Sequence, residues 1–588
     1  MGRRRRAISR GGVPAACLAV TVLGAHTAAG QAVERHLPPA PQAIPPPVAV
    51  PAPLGASEDA RPIAGPLDQI VTLGLDDPVL GPAQATGTGV DVSRIAAGDR
   101  GRVAAALRPF FGKVVSRRLI GEIEAAVVRA YRKAGRPLVS VTTPPQEIGG
   151  GRLQLRITPY HLGRQVVRGA SGPAAVRIEG GVRVAAGQPI ETDVLAQDLD
   201  WLDRYPFRTA AAAFAPGVQP GDTDLVLTVT PSRPFRAYAG WSDSGSPATG
   251  RDRYVLGALV GLPLPVPTLL SYQITAGPEA LHRFDDLLGA GQPEYLSHSA
   301  RITSFIAPRQ DLELTLDFIQ TATTTQAFET RSRILEATLA YRFALSNLLP
   351  PSFRSAPGDL VLGVEAKGET RATYFGDAVV TGGETEIYQL YGGWSGGWTD
   401  PLGRATLDVA VHGSPGGISP ENSAAAFQAL SHGRVASATY AYATFDLVHT
   451  VDLPLGFTLS DEAIGLYGAR ALPDTEQAGI GGPSLVRGYS LDDGAYDRTL
   501  VVRNTLALPW PGRAALGPLA FDRPFLFGDM GWGQDQGLSA VGISSVGVGA
   551  GLRLGPAALA VDVGDPLSRG PATRPGHAFT DVRLTVGF

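Results

Sequence analysis

The sequence is nearly devoid of cysteine, with a single one, Cys17, among 588 residues. One cysteine cannot form a disulfide within the chain, and thiolate metal sites use several. Charged residues are also scarce, at 18%, and the formal net charge is −3. Because there is no basic excess, the composition gives no sign of a nucleic-acid partner.

Signatures of catalysis are missing as well. The sequence has no His-Glu-x-x-His zinc motif and no P-loop, and its nine histidines are scattered without the spacing of metal ligands. The glycine-rich stretch GVGAGLRLG (547–555) is a poor nucleotide loop, because it lies in alternating sequence without a strand–loop–helix context. We therefore expect no enzymatic activity, no metal, no nucleotide and no cofactor.

Long apolar runs are absent too: none reaches the 18 residues typical of a transmembrane helix. The N-terminus instead combines a basic head, MGRRRRAISR, with an apolar run of about a dozen residues and a small-residue exit. This pattern predicts a secretory signal peptide over residues 1–30. Cys17 lies inside the apolar run rather than at its end, which disfavours a lipid anchor.

Removal of the signal peptide changes the charge balance. It takes five basic residues and no acidic one, which leaves 46 basic against 54 acidic residues and a net charge of −8. A large exported chain without cysteine suits the envelope of a Gram-negative cell. Since only helices and closed barrels satisfy their backbone groups in lipid, the mature chain is expected to be either periplasmic or a membrane β-barrel.

Composition and pattern divide the rest of the chain. Residues 31–65 are predicted to be an N-terminal extension and linker, because their proline-rich stretch, 38–53, cannot join a sheet interior. Two small α/β modules of similar size are expected at 66–160 and 161–233. The character of the sequence changes after Pro234.

Each module has a recognisable helix. In the first, Ser116 can cap a helix that ends near Gly135, with one apolar face at three- and four-residue spacing. That face comprises Leu119, Ile120, Ile123, Val127, Ala130 and Tyr131. In the second, a helix is expected from near Thr192 and a closing strand at 224–230.

Residues 234–588 are expected to be β-structure throughout, so that the fold is mostly β. Apolar and polar residues alternate in short runs, as in LELTLDF (312–318), LEATLAYRF (335–343) and the final DVRLTVGF. Soluble sandwiches and propellers share this alternation with membrane barrels. The signal peptide, the missing cysteines and the terminal Phe588 favour a transmembrane antiparallel β-barrel of about 16 strands.

Two motifs in this region carry a resemblance to a known family. The first, in LPDTEQAGIGGPSLVRGYS, comprises Val486, Arg487, Gly488 and Tyr489. The second, in PFLFGDMGWG, comprises Phe527 (or Phe525 by a looser spacing), Gly528, Asp529 and Gly531. With these motifs in order before Phe588, the chain resembles the two-partner secretion (type Vb) transporters, the TpsB-type haemolysin secretion/activation proteins.

The resemblance implies a fold and a function. The modules would be polypeptide-transport-associated (POTRA) domains in the periplasm, and the porin-like barrel would lie in the outer membrane. A long loop near 471–497 would fold into the barrel, with Arg487 pairing with Asp529 on the wall, and Phe588 would serve as the C-terminal barrel signal. The chain would recognise one large secreted exoprotein, of the adhesin or haemolysin type, and translocate it unfolded. Outer-membrane lipid and the barrel assembly machinery are the other implied partners.

Several alternatives stay open on the sequence. An assembly factor for outer-membrane proteins shares the arginine loop but usually carries more modules, and a diffusive porin needs none. The Arg487–Asp529 pair could hold the fold without a part in transport, Tyr489 could simply pack, and the second module could be a spacer. In the family the N-terminal extension is often a plug helix, but only QAVERHL precedes the prolines here.

Overall fold

The computed structural model describes residues 34, 57–81, 87–148, 150–262, 264–350, 358–509 and 519–588. The predicted signal peptide and the proline-rich stretch lie outside these residues. The described chain forms two small α/β modules followed by a closed β-barrel. None of its described helices combines the length and the apolar character needed to cross a membrane.

The first module packs helices against a four-stranded sheet. Its elements are β1 (Pro62–Pro66), β2 (Gln69–Leu73), β3 (Gly89–Asp91), α1 (Ala97–Leu107), β4 (Val114–Ser116), α2 (Arg117–Lys133), β5 (Val139–Thr142) and β6 (Arg152–Pro159). The sheet has the strand order β3–β2–β6–β5, and β1 pairs separately with β4.

Helix α2 forms where the sequence predicts a helix. Ser116 Oγ accepts a hydrogen bond from the backbone N–H of Leu119 at 3.1 Å, which satisfies one of the free donors at the helix start. The side chains that the helix buries are Leu119, Ile123, Ala126, Val127 and Tyr131. Ile120 and Ala130, also expected on that face, are half-buried at its margins.

The second module has a three-stranded sheet. Its elements are β7 (His161–Arg168), α3 (Gly172–Gly181), α4 (Thr192–Asp203), β8 (Arg208–Pro216) and β9 (Asp222–Pro231). The central strand β9 pairs parallel with β7 and antiparallel with β8. Helix α4 buries Leu195, Leu199 and Leu202 in the core of this module.

The remaining chain builds the barrel and its loops. The elements are β10 (Phe235–Ser242), β11 (Arg253–Leu262), β12 (Thr268–Ala276), α5 (Phe284–Leu287), β13 (Tyr295–Ala307), β14 (Gln310–Thr325), β15 (Phe328–Ala344), β16 (Asp359–Phe375), β17 (Ala378–Thr399), β18 (Arg404–Ser414), α6 (Ala424–Leu430), β19 (Tyr440–Asp452), β20 (Thr458–Gly468), β21 (Ala478–Gly479), β22 (Ala495–Tyr496), β23 (Arg498–Ala507), β24 (Leu519–Phe521), β25 (Phe525–Gln534), β26 (Val541–Leu554), β27 (Ala557–Pro566) and β28 (Phe579–Gly587). Sixteen antiparallel strands close the barrel, β28 pairing with β10, while short β24 lies beside β26.

Side chains of the barrel alternate between lipid and lumen. Leu312, Leu316 and Leu335 are exposed on the outer face, whereas Asp317 and Glu336 are buried on the inner face. This apolar-out, polar-in arrangement is that of a transmembrane barrel with a polar interior. The prediction of a mostly β fold with about 16 barrel strands after two α/β modules is confirmed.

The second module is docked on a turn of the barrel. Arg309, in the turn between β13 and β14, donates to Asp198 Oδ1 at 3.0 Å and to the carbonyl oxygen of Gly181 at 2.8 Å. Next to this turn, the Phe305 ring meets the Trp201 ring edge to face, with centroids 5.4 Å apart. The end of the barrel next to this module is therefore fixed to it by polar and aromatic contacts.

Candidate functional site: the inward loop and the barrel wall

A long loop between β20 and β23, residues 469–497, folds back into the barrel. Its two limbs approach each other through β21 and β22, whose residues Ala478 and Gly479 pair with Tyr496 and Ala495. Leu472, Ile480, Val486, Tyr489 and Ala495 are fully buried. A barrel of this size encloses an aqueous lumen unless something fills it, and here the loop occupies that space.

The tip of this loop is a tight turn. The backbone N–H of Val486 donates to the carbonyl oxygen of Ile480 at 3.2 Å. Gly482 has a φ of +111° and Gly488 a φ of +89°, a backbone region that residues with side chains rarely adopt. The glycine-rich sequence thus shapes a narrow tip that presents Arg487.

Arg487 binds Asp529 of β25 in a bidentate ion pair. Its Nε donates to Oδ2 at 2.7 Å, its Nη2 to Oδ1 at 2.8 Å, and its backbone N–H to Oδ2 at 3.1 Å. The Arg487 guanidinium also donates to Thr505 Oγ1 at 3.0 Å and lies 4.0 Å from the Phe527 ring centroid. Arg487 and Asp529 are only 4% and 1% exposed, so removal of one partner would leave a buried charge.

The wall strand β25 is built to receive the tip. Phe527, Asp529 and Gly531 are buried on the inner face of the strand. They alternate with residues that point outward, such as the exposed Met530. A Cβ on Gly531 would lie 2.9 Å from a methyl of Val486, so glycine lets the loop dock closely and a small side chain there would require the Val486 methyl to shift.

Two of the residues proposed from the sequence do not touch the loop. A Cβ built on Gly528 would have Ser545 and Val546 as its nearest neighbours, both on the wall. Phe588 is exposed and pairs through its backbone with Ala237, its N–H donating to the carbonyl oxygen at 2.7 Å. Gly528 therefore belongs to the wall itself, and Phe588 extends the seam between the first and last strands.

Beyond Arg487, the tip is tied to the segment between β27 and β28. Tyr489 is fully buried, and its hydroxyl lies 2.7 Å from the carbonyl oxygen of Ser568 and 2.8 Å from that of Ser544. Asp493 accepts hydrogen bonds from the backbone N–H groups of Ala572 and Thr573, both at 2.9 Å. Tyr489 thus both packs and hydrogen-bonds.

A second set of contacts on the same loop was not found from the sequence. Asp474 accepts a hydrogen bond from Arg371 at 2.6 Å, and Glu476 from Lys367 at 2.9 Å, both donors on β16. Burial alone would raise the pKa of Asp474, but the guanidinium groups of Arg371 and Arg434 outweigh it and hold that pKa below its usual range. The one signal in the sequence is the polar run DTEQ just before the loop tip.

One residue of the N-terminal extension also reaches the barrel. Glu34 accepts hydrogen bonds from the fully buried Arg253 at 2.9 and 2.7 Å, and its carbonyl oxygen accepts one from Tyr295 Oη at 2.8 Å. The neighbouring residues of the extension, in which a plug helix was considered, lie outside the described residues. Glu34 shows that the extension meets the inner side of β11 and β13.

The chemistry of this site is that of fastening a loop. The described residues include no group of three His, Cys, Asp or Glu side chains placed to bind a metal ion. The side chains gathered here make ion pairs and hydrogen bonds across the lumen, and their burial makes those contacts costly to break.

Comparison with known proteins agrees with this architecture. Residues 354–554 match the model of the family described as haemolysin secretion/activation protein ShlB/FhaC/HecB. CdiB from Escherichia coli has a similar structure, with a TM-score of 0.63 and 15% identity over 91% of this chain and 93% of that one. CdiB from Acinetobacter baumannii is also similar, with a TM-score of 0.55 and 16% identity over 95% of both chains. No curated protein sequence matches the chain.

Fold and site together define an outer-membrane β-barrel transporter with POTRA domains in the periplasm. Residues 354–554 of this barrel are similar to the two-partner secretion transporters of the haemolysin secretion/activation type. This family consists of transporters rather than enzymes, and it implies a secreted exoprotein as the partner.

Proposed function

We propose that the chain recognises one exoprotein in the periplasm through its POTRA domains and translocates it, unfolded, through its own barrel. In this proposal the loop 469–497 closes the conduit at rest and moves aside during transport. The observation that carries the proposal is the buried, bidentate pair of Arg487 and Asp529, which holds a loop inside a lumen otherwise wide enough for an extended chain. A diffusive pore would have no use for such a fastening.

The second module offers an open strand edge for capture of an extended chain. Within the described residues, β8 pairs only with β9. The backbone N–H of Ala210 donates to Asp203 Oδ1 at 2.6 Å, so it points away from β9. By the period of two, the N–H groups of Ala212 and Phe214 point the same way. An incoming segment could add to this edge through backbone hydrogen bonds, which tolerate many sequences.

A deletion strain tests the proposal at the level of the cell. Culture supernatant and outer-membrane proteins are compared between the parent and the deletion strain. Loss of one exoprotein from the supernatant with normal porin levels is the expected result. General loss of porins would instead identify an assembly factor for outer-membrane proteins and would refute the proposal.

The role of β8 is tested with Ala212→Pro in the full chain. Proline removes one outward N–H donor and leaves the hydrogen bonds between β8 and β9 in place. Because one hydrogen bond contributes about 0.5–1.5 kcal/mol, we expect about two- to tenfold weaker binding of the exoprotein identified by the deletion. Ala211→Ser, with its exposed side chain on the same strand, is the matched control. Unchanged binding by folded Ala212→Pro would exclude this edge.

A further inference from the structure

The limb of the inward loop that enters the barrel is held by charges of its own. In this limb, residues 471–477, Thr475, Glu476 and Gln477 are buried although all three are polar. Buried polar side chains persist when they are hydrogen-bonded, because an unsatisfied one costs free energy. Their partners on the wall therefore show what holds the limb.

Glu476 accepts hydrogen bonds from three different strands of the wall. Lys367 of β16 donates to its two carboxylate oxygens at 2.9 and 3.1 Å, Gln389 of β17 donates to Oε2 at 2.8 Å, and the hydroxyl of Tyr442 on β19 donates to Oε2 at 2.6 Å. An ionised carboxylate accepts several hydrogen bonds at once, and those from charged donors are the strongest. Glu476 thus has a complete set of donors inside the lumen.

Asp474 links the same limb to an extracellular loop. Its carboxylate accepts from Arg371 of β16 at 2.6 Å and from Arg434, which lies between α6 and β19. Arg434 also donates to Asp497 at 3.1 Å, at the opposite end of the inward loop. One guanidinium therefore joins both ends of the loop where it leaves the wall.

These contacts lie on a different part of the wall from the arginine motif. In the barrel order, β16, β17 and β19 are six, five and three strands away from β25, which carries Asp529. A loop fastened at both places cannot leave the lumen when only one of them is broken. This separation makes the two sets of contacts independent in space and additive in their effect on the loop.

We infer that Glu476 and Asp474 form a second anchor of the inward loop, and that the loop leaves the lumen only when this anchor and the Arg487–Asp529 pair are both released. The inference rests on the proposed role of the loop as the closure of the conduit. It adds that whatever opens the conduit must act on two walls at once. A substrate segment entering the lumen is suited to do this, because it can compete for Lys367 and Arg371 with its own carboxylates.

The anchor is tested by labelling the loop tip in intact cells. Ser484, exposed at the tip, is replaced by Cys, and a large membrane-impermeant maleimide-polyethylene glycol is added outside. Three variants carry this label site: Arg487→Gln, the pair Glu476→Gln with Asp474→Asn, and all three substitutions together. We expect the triple variant to be labelled about tenfold or more faster than Arg487→Gln alone, as the loss of a buried ionic contact implies.

Controls separate loss of the anchor from loss of the fold. Glu329→Gln breaks a more exposed ion pair, with Arg331 at 2.7 Å, and should leave the labelling rate unchanged. Folding is checked by the heat-dependent migration of barrels on gels. If the triple variant does not fold, Lys367→Gln in the Arg487→Gln background attacks the anchor from the wall and should also speed labelling.

Equal labelling of Arg487→Gln and the triple variant, or of Arg487→Gln with and without Lys367→Gln, would overturn the second anchor. Labelling needs no exoprotein, so this failure is distinct from failure of the proposed function. A chain that secretes nothing but is labelled as expected would refute transport and leave the anchor standing.

Discussion

Gly488 at the tip of the inward loop lies against Gly564 of β27, backbone against backbone. A Cβ added to Gly564 would be 2.8 Å from both the nitrogen and the Cα of Gly488. The two backbones can approach this closely only because neither residue has a side chain. The tip therefore reaches the wall at a point where two glycines meet, next to the place where Arg487 turns toward Asp529.

Gly564→Val should keep the tip from docking. The added side chain would overlap the backbone of Gly488, and overpacking of this kind costs about 1–3 kcal/mol. In a chain whose second anchor is released by Glu476→Gln and Asp474→Asn, we expect Gly564→Val to speed the labelling of Ser484→Cys from outside the cell. Gly542→Val is the matched control, because a Cβ there meets nothing within 4 Å. If Gly564→Val were labelled no faster than the control, close docking of the tip would not be what retains the loop.

Arg487→Lys tests whether the shape of the guanidinium matters as well as its charge. Lysine keeps the charge but cannot donate in parallel to both oxygens of Asp529. In a chain whose second anchor is released by Glu476→Gln and Asp474→Asn, we expect channel conductance in planar bilayers to rise in the order wild type at position 487, Arg487→Lys, Arg487→Gln, with removal of the charge destabilising docking by about 3–5 kcal/mol. A lysine variant that behaves like the wild type would show that charge alone is sufficient.

Arg309→Gly tests the docking of the second module on the barrel. Arg309 has a φ of +57°, a conformation that glycine adopts easily, so the substitution keeps the turn and removes only the side chain. We expect the module to detach, which limited proteolysis between the module and the barrel would reveal. As a control, Arg118→Ala removes an exposed ion pair with Glu122 at 3.0 Å and should change stability by less than about 1 kcal/mol. Equal proteolysis of both variants would contradict the docking role.

Local sequence patterns make three parts of the structure predictable. Periodicity predicts the barrel strands and helix α2, and the glycines predict a turn at the loop tip. In β14 and β15 the alternation of Leu with Asp and Glu is visible over a few residues, and in the tip the glycines mark the turn. Helix α1 was missed, because its sequence AGDRGRVAAAL lacks a strong apolar face. The helix buries only Val103 and Leu107 together with Asp99, which accepts a hydrogen bond from Tyr131 Oη at 3.1 Å, a contact made by the tertiary fold.

Long-range ion pairs were equally hidden. Lys367 and Glu476 are 109 residues apart, and Arg253 and Glu34 are 219 apart. Their meeting depends on strand register around the whole barrel, which no local pattern encodes. The Arg487–Asp529 pair was proposed only because its two motifs resemble those of a known family.

The central claim, that the inward loop must leave its place for transport, is tested most directly by a disulfide. Ile480→Cys and Gly531→Cys are suited to it, because the Cβ of Ile480 lies 3.4 Å from a Cβ built on Gly531, close to disulfide geometry. The only native cysteine, Cys17, lies in the predicted signal peptide. The measurement is exoprotein secretion by the double variant with and without a reductant, beside each single variant. We predict that secretion stops when the disulfide forms and returns on reduction. Undiminished secretion through the cross-linked barrel would contradict the account.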